Sequence, residues 1–183
     1  LRGQASDADE HFVRELAQEL DLPIVVKGVD VRRLAKTTDQ SLEMAARQAR
    51  HDFFAEFKSA TIALAHHADD QVETFILKLA RGAGSDGLSG MAASQTLESL
   101  HIIRPFLTLR RATILQWMQD KGCRWREDAS NQDPAFLRNR VRQQILPLLE
   151  EQLNPGIREN ILRTMDILRE ENAWMEGLLA DVD

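Results

Sequence analysis

The sequence predicts an α/β fold, a parallel sheet flanked by helices and followed by a helical C-terminal extension. Three observations carry that reading. Short β-branched runs alternate with helix-period stretches through residue 105, the pattern of parallel strands joined by crossover helices. Beyond Pro105 only helix-period stretches recur. The 183 residues, 43% hydrophobic and 28% charged, suffice to bury a core within an ordinary globular chain.

The elements follow in order. Ser6-Asp7-Ala8-Asp9 resembles a capping box, with acids suited to the positive end of a helix dipole. Phe12, Val13, Leu16, Ala17 and Leu20 then recur at helical spacing until Pro23. Ile24-Val25-Val26 reads as a buried strand. A helix is expected over 41–59, with Leu42, Ala45, Ala46, Ala49, Phe53 and Phe57 as its apolar stripe and Arg47 and Arg50 beside it. Residues 61–65, Thr-Ile-Ala-Leu-Ala, form a second strand, and a helix follows over 69–81. Four of the nine glycines lie between Gly82 and Gly90, which marks a loop. Ile102-Ile103 is a third short strand. Past it, Thr108 caps a helix to Lys121, and helices are expected over 136–149 and 157–179. Leu115, Trp117 and Met118 are expected in the core, and Ile161, Met165, Leu168 and Trp174 along a packing seam. Boundaries fall near Pro105 and Asn154-Pro155, giving an α/β core over 1–105, a basic helical segment over 106–153 and an acidic helix over 154–183.

Net charge is −6, which excludes a uniformly basic surface. The charge is uneven. Residues 1–100 hold 11 Lys and Arg against 16 Asp and Glu, residues 101–142 hold 9 against 4, and residues 143–183 hold 3 against 9. The middle island, net +5, is a candidate polyanion contact unless its arginines pair with the acidic flanks. The single cysteine, Cys123, excludes a disulfide framework and a cysteine-cluster metal site within this chain. With no membrane-length apolar run and no signal-peptide pattern, a cytoplasmic setting and no membrane partner are expected.

Ligands of open α/β sheets sit at the carboxyl ends of strands, where helix N-termini aim their free N–H groups. His66-His67-Ala68-Asp69-Asp70-Gln71-Val72-Glu73-Thr74 occupies that place after the second strand. Asp70 and Glu73, three apart, share a helix face. Two carboxylates there can hold Mg²⁺ against a nucleotide phosphate or grip a cationic substrate. Asp69 is read as the helix N-cap.

These residues, with Leu79-Ala80-Arg81-Gly82-Ala83-Gly84 and Gly87-Leu88-Ser89-Gly90-Met91, closely resemble the tRNA(Ile)-lysidine synthases, N-type ATP pyrophosphatases that carry a PP-loop. The resemblance continues through Arg104-Pro105-Phe106-Leu107, Trp125-Arg126-Glu127-Asp128-Ala129-Ser130-Asn131, Phe136-Leu137-Arg138-Asn139-Arg140-Val141-Arg142 and Leu146-Pro147-Leu148-Leu149. Leu1-Arg2-Gly3 is similar to the stretch after the family's second strand. The family's Ser-Gly-Gly-x-Asp-Ser loop is not among these residues. The chain is therefore expected to be a fragment lacking the PP-loop and N-terminal strands, inactive alone, and open to self-association through an exposed sheet edge.

The resemblance implies a partial Rossmann-like sheet of PP-loop ATPase type, with residues 1–105 as the nucleotide-binding core. It implies ATP and Mg²⁺ as cofactors, and free L-lysine and tRNA(Ile) with a CAU anticodon as partners. The wobble cytosine O2 attacks the α-phosphate of ATP and pyrophosphate leaves. The ε-amine of lysine then attacks C2, and AMP departs with lysidine formed. Asp70 and Glu73 are implied in the metal and lysine pocket, with their division of tasks open. His66 and His67 shape that pocket, or one packs under the sheet edge. Arg47 matches an arginine facing the nucleotide, the alternative being an ion pair with Glu43. Asp128, Asn131, Arg138, Asn139 and Arg142 are implied at the tRNA and its target base. Arg138 and Arg142, at i and i+4, can address one phosphate-rich surface, and Asp128 can instead pair with Arg138. Alternatives from other classes are a tRNA cytidine thiolation enzyme, against which a single cysteine counts, and a non-catalytic tRNA-binding module.

Overall fold

Residues 4–57, 60–97, 100–127, 133 and 136–180 are described by the structure, a computed structural model. The chain divides into two compact units, one of residues 1–62 with 96–101 and one of residues 63–95 with 102–183.

In the first unit, α1 (Gln4–Glu19) half-buries Phe12, Leu16 and Ala17. The helix starts before Ser6, so the expected capping box falls inside it. Residues 22–30 are irregular where a strand was expected, and Val25 and Val26 are exposed. β-branched residues favour extended backbone, but a strand forms only when a neighbour takes its N–H and C=O groups. No such neighbour occurs among the described residues. An element absent from the sequence reading, α2 (Val31–Thr38), is capped by Asp30, whose carboxylate accepts the Arg33 N–H at 3.0 Å. α3 (Leu42–Ala55) is capped by Ser41 and packs against α2. It buries Ala45 completely, whereas Leu42 at the head of the expected stripe stays exposed.

The sheet has three strands, β1 (Thr61–Ala63), β2 (Ser94–Leu97) and β3 (Leu100–Ile103), in the order β1-β3-β2. It is mixed rather than wholly parallel. β2 escaped the sequence reading because Ser94-Gln95-Thr96-Leu97 carries a single apolar side chain.

The second unit holds α4 (Ala68–Leu79), α5 (Ser85–Leu88), α6 (Arg111–Asp120), α7 (Leu137–Arg140), α8 (Leu146–Gln152) and α9 (Ile157–Ala180). Between α7 and α8 the backbone is π-helical over Val141–Ile145. Pro147 explains the wide turn, because its ring crowds the carbonyl four residues back and it has no N–H to donate there. The core consists of Val72 from α4, Val141 from the π turn, Leu146 from α8, and Ile161 and Met165 from α9, with Phe75, Ile76 and Leu162 against it. Burying each such side chain stabilises the fold by about 1.5–3 kcal/mol. Trp117, expected in the core, is 57% exposed, as α6 turns only Ile114, Leu115 and Met118 inward. Trp174, expected on the α9 seam, is also exposed.

The glycine loop is pinned to α4. The Gln71 side-chain amide donates to the Met91 carbonyl and accepts the Met91 N–H, both at 2.8 Å. Gly90, at φ +89°, passes so close that an added Cβ would lie 2.2 Å from Met165 Cε.

Candidate functional site

The site lies within the second unit, at the N-terminus of α4. His67, rather than Asp69, is the N-cap. His67 Nδ1 accepts the Asp70 N–H at 3.3 Å, and the Asp70 carboxylate accepts the His67 N–H at 2.9 Å. This reciprocal box satisfies two helix-end donors. His66 is half-buried next to it.

Asp70 and Glu73 share the face that the i, i+3 spacing requires. Glu73 is fully buried and Asp70 nearly so. A buried carboxylate must be paired, and the partners here are arginines. Arg138 donates Nε to Glu73 at 2.6 Å and Nη2 to Asp70 at 3.0 Å. Arg142, one turn further on, donates Nε to the other Glu73 oxygen at 2.5 Å and Nη2 to the first at 3.1 Å. Glu73 in turn holds the Arg142 guanidinium above its usual range. The acidic rim and the arginine-bearing helix thus meet in one place, 65 and 69 residues apart in sequence.

Asn139 is also buried, and its amide donates to the Asp133 carbonyl at 2.8 Å, holding the approach to α7. Asp128 and Asn131 lie outside the described residues. Arg47 is exposed on α3, in the first unit.

Sequence reasoning missed the cluster built on Asp69. Its carboxylate accepts the Arg111 N–H at 2.8 Å, which stitches the start of α6 to the start of α4. Arg110 donates Nε to Asp69 at 3.1 Å and also pairs with Glu159. Arg158 reaches Asp69 at 3.5 Å while gripping Glu150 at 2.6 Å. Burial pushes the Asp69 carboxyl upward, but the Arg111 N–H and then the Arg110 guanidinium outweigh it and hold it below the usual carboxylate range. Arg158 likewise holds Glu150 low. Partners 41 and 89 residues away leave no local sequence signal.

Beside Glu73 opens a cavity of about 270 Å³, lined by Asp69, Glu73, Arg110, Arg111, Arg142 and Arg158 among others. A larger one of about 430 Å³, between α4 and α9, touches neither Asp70 nor Glu73. Size therefore does not mark the charged site.

The donor set tests the expected magnesium. Both Glu73 oxygens and both Asp70 oxygens already accept from guanidinium or backbone N–H groups. Among the described residues no three acidic, histidine or cysteine side chains gather to hold a metal. A magnesium ion, which demands a regular octahedron of oxygens, would have to displace an arginine. The same condition holds for any cation at this pair, and one or two carboxylates completed by phosphate oxygens and water are what magnesium ordinarily takes.

The profile of the PP-loop domain matches residues 1–149. Among curated proteins, the chain is 43% identical to a tRNA(Ile)-lysidine synthase of Geobacter sulfurreducens, over 99% of this chain and 39% of that protein. It is 41% identical to one of Porphyromonas gingivalis, over 92% of this chain and 37% of that protein. It is 40% identical to one of Dehalococcoides mccartyi, over 100% and 40%. The chain thus spans about two fifths of the length of these relatives. No helix among the described residues is long and apolar enough to cross a membrane.

Proposed function

The chain belongs to the PP-loop domain family, and from that premise we propose that it is part of an ATP-dependent ligase that joins lysine to the wobble cytidine of a CAU-anticodon tRNA(Ile). The family uses ATP, and in this reading ATP adenylates the cytidine before lysine attacks. The observation that carries the proposal is the buried Asp70–Glu73 pair at the head of α4, clasped by Arg138 and Arg142.

The chemistry asks two things of this chain's residues. The amine of lysine, ordinarily protonated near pH 10.4, must be bound as a cation and then lose a proton before it attacks. Asp70 and Glu73 are a di-anionic seat for that ammonium, and either carboxylate can take the proton. His67 fixes the seat through its cap on Asp70. Negative charge that develops on the departing phosphates must be met by cations, and Arg138 and Arg142 stand within reach of the same seat. Arg47 is assigned to the nucleotide, and Asp128, Asn131 and Asn139 to the target base and its surroundings. The guanidinium clasp sets a condition on all of this: an incoming ammonium must replace an arginine at Glu73 or Asp70.

The test uses the full-length protein. Incubation with ATP, radiolabelled lysine and a CAU-anticodon tRNA(Ile) transcript should transfer label to the RNA, with AMP and pyrophosphate as products. A transcript that stays unlabelled while the protein binds it would leave a non-catalytic RNA-binding role in its place.

A further inference from the structure

We propose that the cavity beside Glu73 is a phosphate-binding subsite, and that a phosphate held there competes with Glu73 for Arg142. The inference deepens the function proposed above and rests on it only for the source of the phosphate.

The lining sets the ligand's chemistry. Four guanidinium residues, Arg110, Arg111, Arg142 and Arg158, face two carboxylates, Asp69 and Glu73. Planar guanidiniums with several N–H donors each are the side chains that best match phosphate oxygens. Ala112, in the first turn of α6, also lines the cavity. The positive end of that helix dipole therefore adds to the same field. The volume of about 270 Å³ admits a phosphate with some of its water.

The pairings decide which arginine gives way. Arg110 is committed through Nε and Nη2 to Asp69 and through Nη1 to Glu159. Arg158 is committed through Nε and Nη2 to Glu150 and through Nη1 to Asp69. Among the described residues, Arg142 uses only Nε and Nη2, which leaves Nη1 to meet an anion. It also stands on the π-helical turn, where the backbone register is already widened. Arg111, with Nη2 3.6 Å from Glu127, is held loosely.

A phosphate that draws Arg142 away leaves Arg138 on Glu73 and Asp70 and uncovers one Glu73 oxygen. That oxygen can then accept an ammonium. Phosphate and amine binding are thereby coupled, and the coupling must run equally in both directions.

The test uses the full-length protein and two probes, inorganic pyrophosphate and an anticodon stem-loop RNA with a CAU loop. Binding is measured at several salt concentrations for the wild type and for Arg111→Gln, Arg142→Gln and Glu73→Gln, each checked for folding by thermal melting. The two arginine variants should weaken one probe by roughly three- to tenfold, and Glu73→Gln, which releases Arg142, should tighten that same probe. A response confined to RNA, with a salt slope reduced by about one per arginine lost, identifies a phosphodiester. A response confined to pyrophosphate identifies nucleotide phosphates. Wild-type affinity for both probes in folded arginine variants would overturn the proposal, as would a Glu73→Gln variant that loses affinity like Arg142→Gln. Should Glu73→Gln fail to fold, Arg111→Gln decides, because its half-exposed side chain supports little of the core. Failure of the lysidine reading would appear separately, as unlabelled tRNA, and leaves the pyrophosphate measurement standing.

Discussion

At the scale of single residues, the neighbours Asp69 and Asp70 serve different partners. Asp70 closes the helix cap and faces Arg138, while Asp69 ties α4 to α6 and α9 through Arg110, Arg111 and Arg158. The Asp69 carboxyl is held below its ordinary value, so its contribution to stability is complete above the unfolded-chain value of about 3.9 and fades as pH falls through the lower folded value. Asp69→Asn should therefore lower stability at neutral pH and flatten the acid limb of a stability–pH curve below pH ~4. Urea melts across that range check it, and an unchanged acid limb would contradict the assignment. Glu73 supplies the second case. Breaking a fully buried ion pair costs about 3–5 kcal/mol, but both guanidiniums here are about a third exposed and can regain water. Glu73→Ala should accordingly cost about 2–3 kcal/mol in equilibrium unfolding. A cost under about 0.5 kcal/mol, ordinary for a surface substitution, would show that the clasp is not a structural tie.

At the scale of elements, the glycine loop and the broken helix do the positioning. Gly90 needs a positive φ and a bare Cα, since a Cβ would meet Met165 Cε at 2.2 Å and Gln71 Oε1 at 2.7 Å. Gly90→Ala should cost about 1–3 kcal/mol from backbone strain, plus whatever the displaced Gln71 loses. Faster hydrogen exchange at the Met91 N–H, the group that Gln71 accepts, is the specific readout. Protection equal to wild type would mean that the loop has another anchor. The same elements mark what could be read in advance. The helix after the second strand, with Asp70 and Glu73 on one face, was legible because both its period and its charge pattern are local. The cap assignment went to Asp69 instead of His67 because aspartate is the commoner cap and nothing local marks a histidine in that role. The strand expected over 24–26 did not form, and β2 formed without apolar alternation, because strand pairing is decided by neighbours. Arg138 and Arg142 were legible as a shared face turned toward phosphate and RNA, with Arg138 pairing to Asp128 as the alternative. Their grip on Glu73 joins residues 65 and 69 positions apart, and no periodicity records such a pairing.

At the scale of the molecule, the charge blocks of the sequence take on a different meaning inside the second unit. The basic stretch over residues 101–142 reads as a polyanion-binding surface, yet Arg110, Arg138 and Arg142 each face carboxylates of this chain. In the proposed subsite, Arg142 and the loosely held Arg111 are the side chains that an incoming phosphate would recruit. Hydrophobic surface is less fully matched than charge. Along the last turns of α9, Trp174, Met175, Leu178 and Leu179 are all exposed, and a contiguous apolar stripe of this kind drives association in water. The 183-residue chain, prepared by itself, should therefore sediment as larger species with rising concentration. The double substitution Trp174→Glu and Leu178→Glu should shift it toward the monomer, because two charges on that stripe must be desolvated before it can be covered. Sedimentation velocity over a hundredfold concentration range separates the outcomes. A wild-type chain that stays monomeric throughout would show that the α9 stripe is too small to drive association. A concentration dependence that survives both glutamates would move the contact elsewhere, to the exposed valines of residues 25–29.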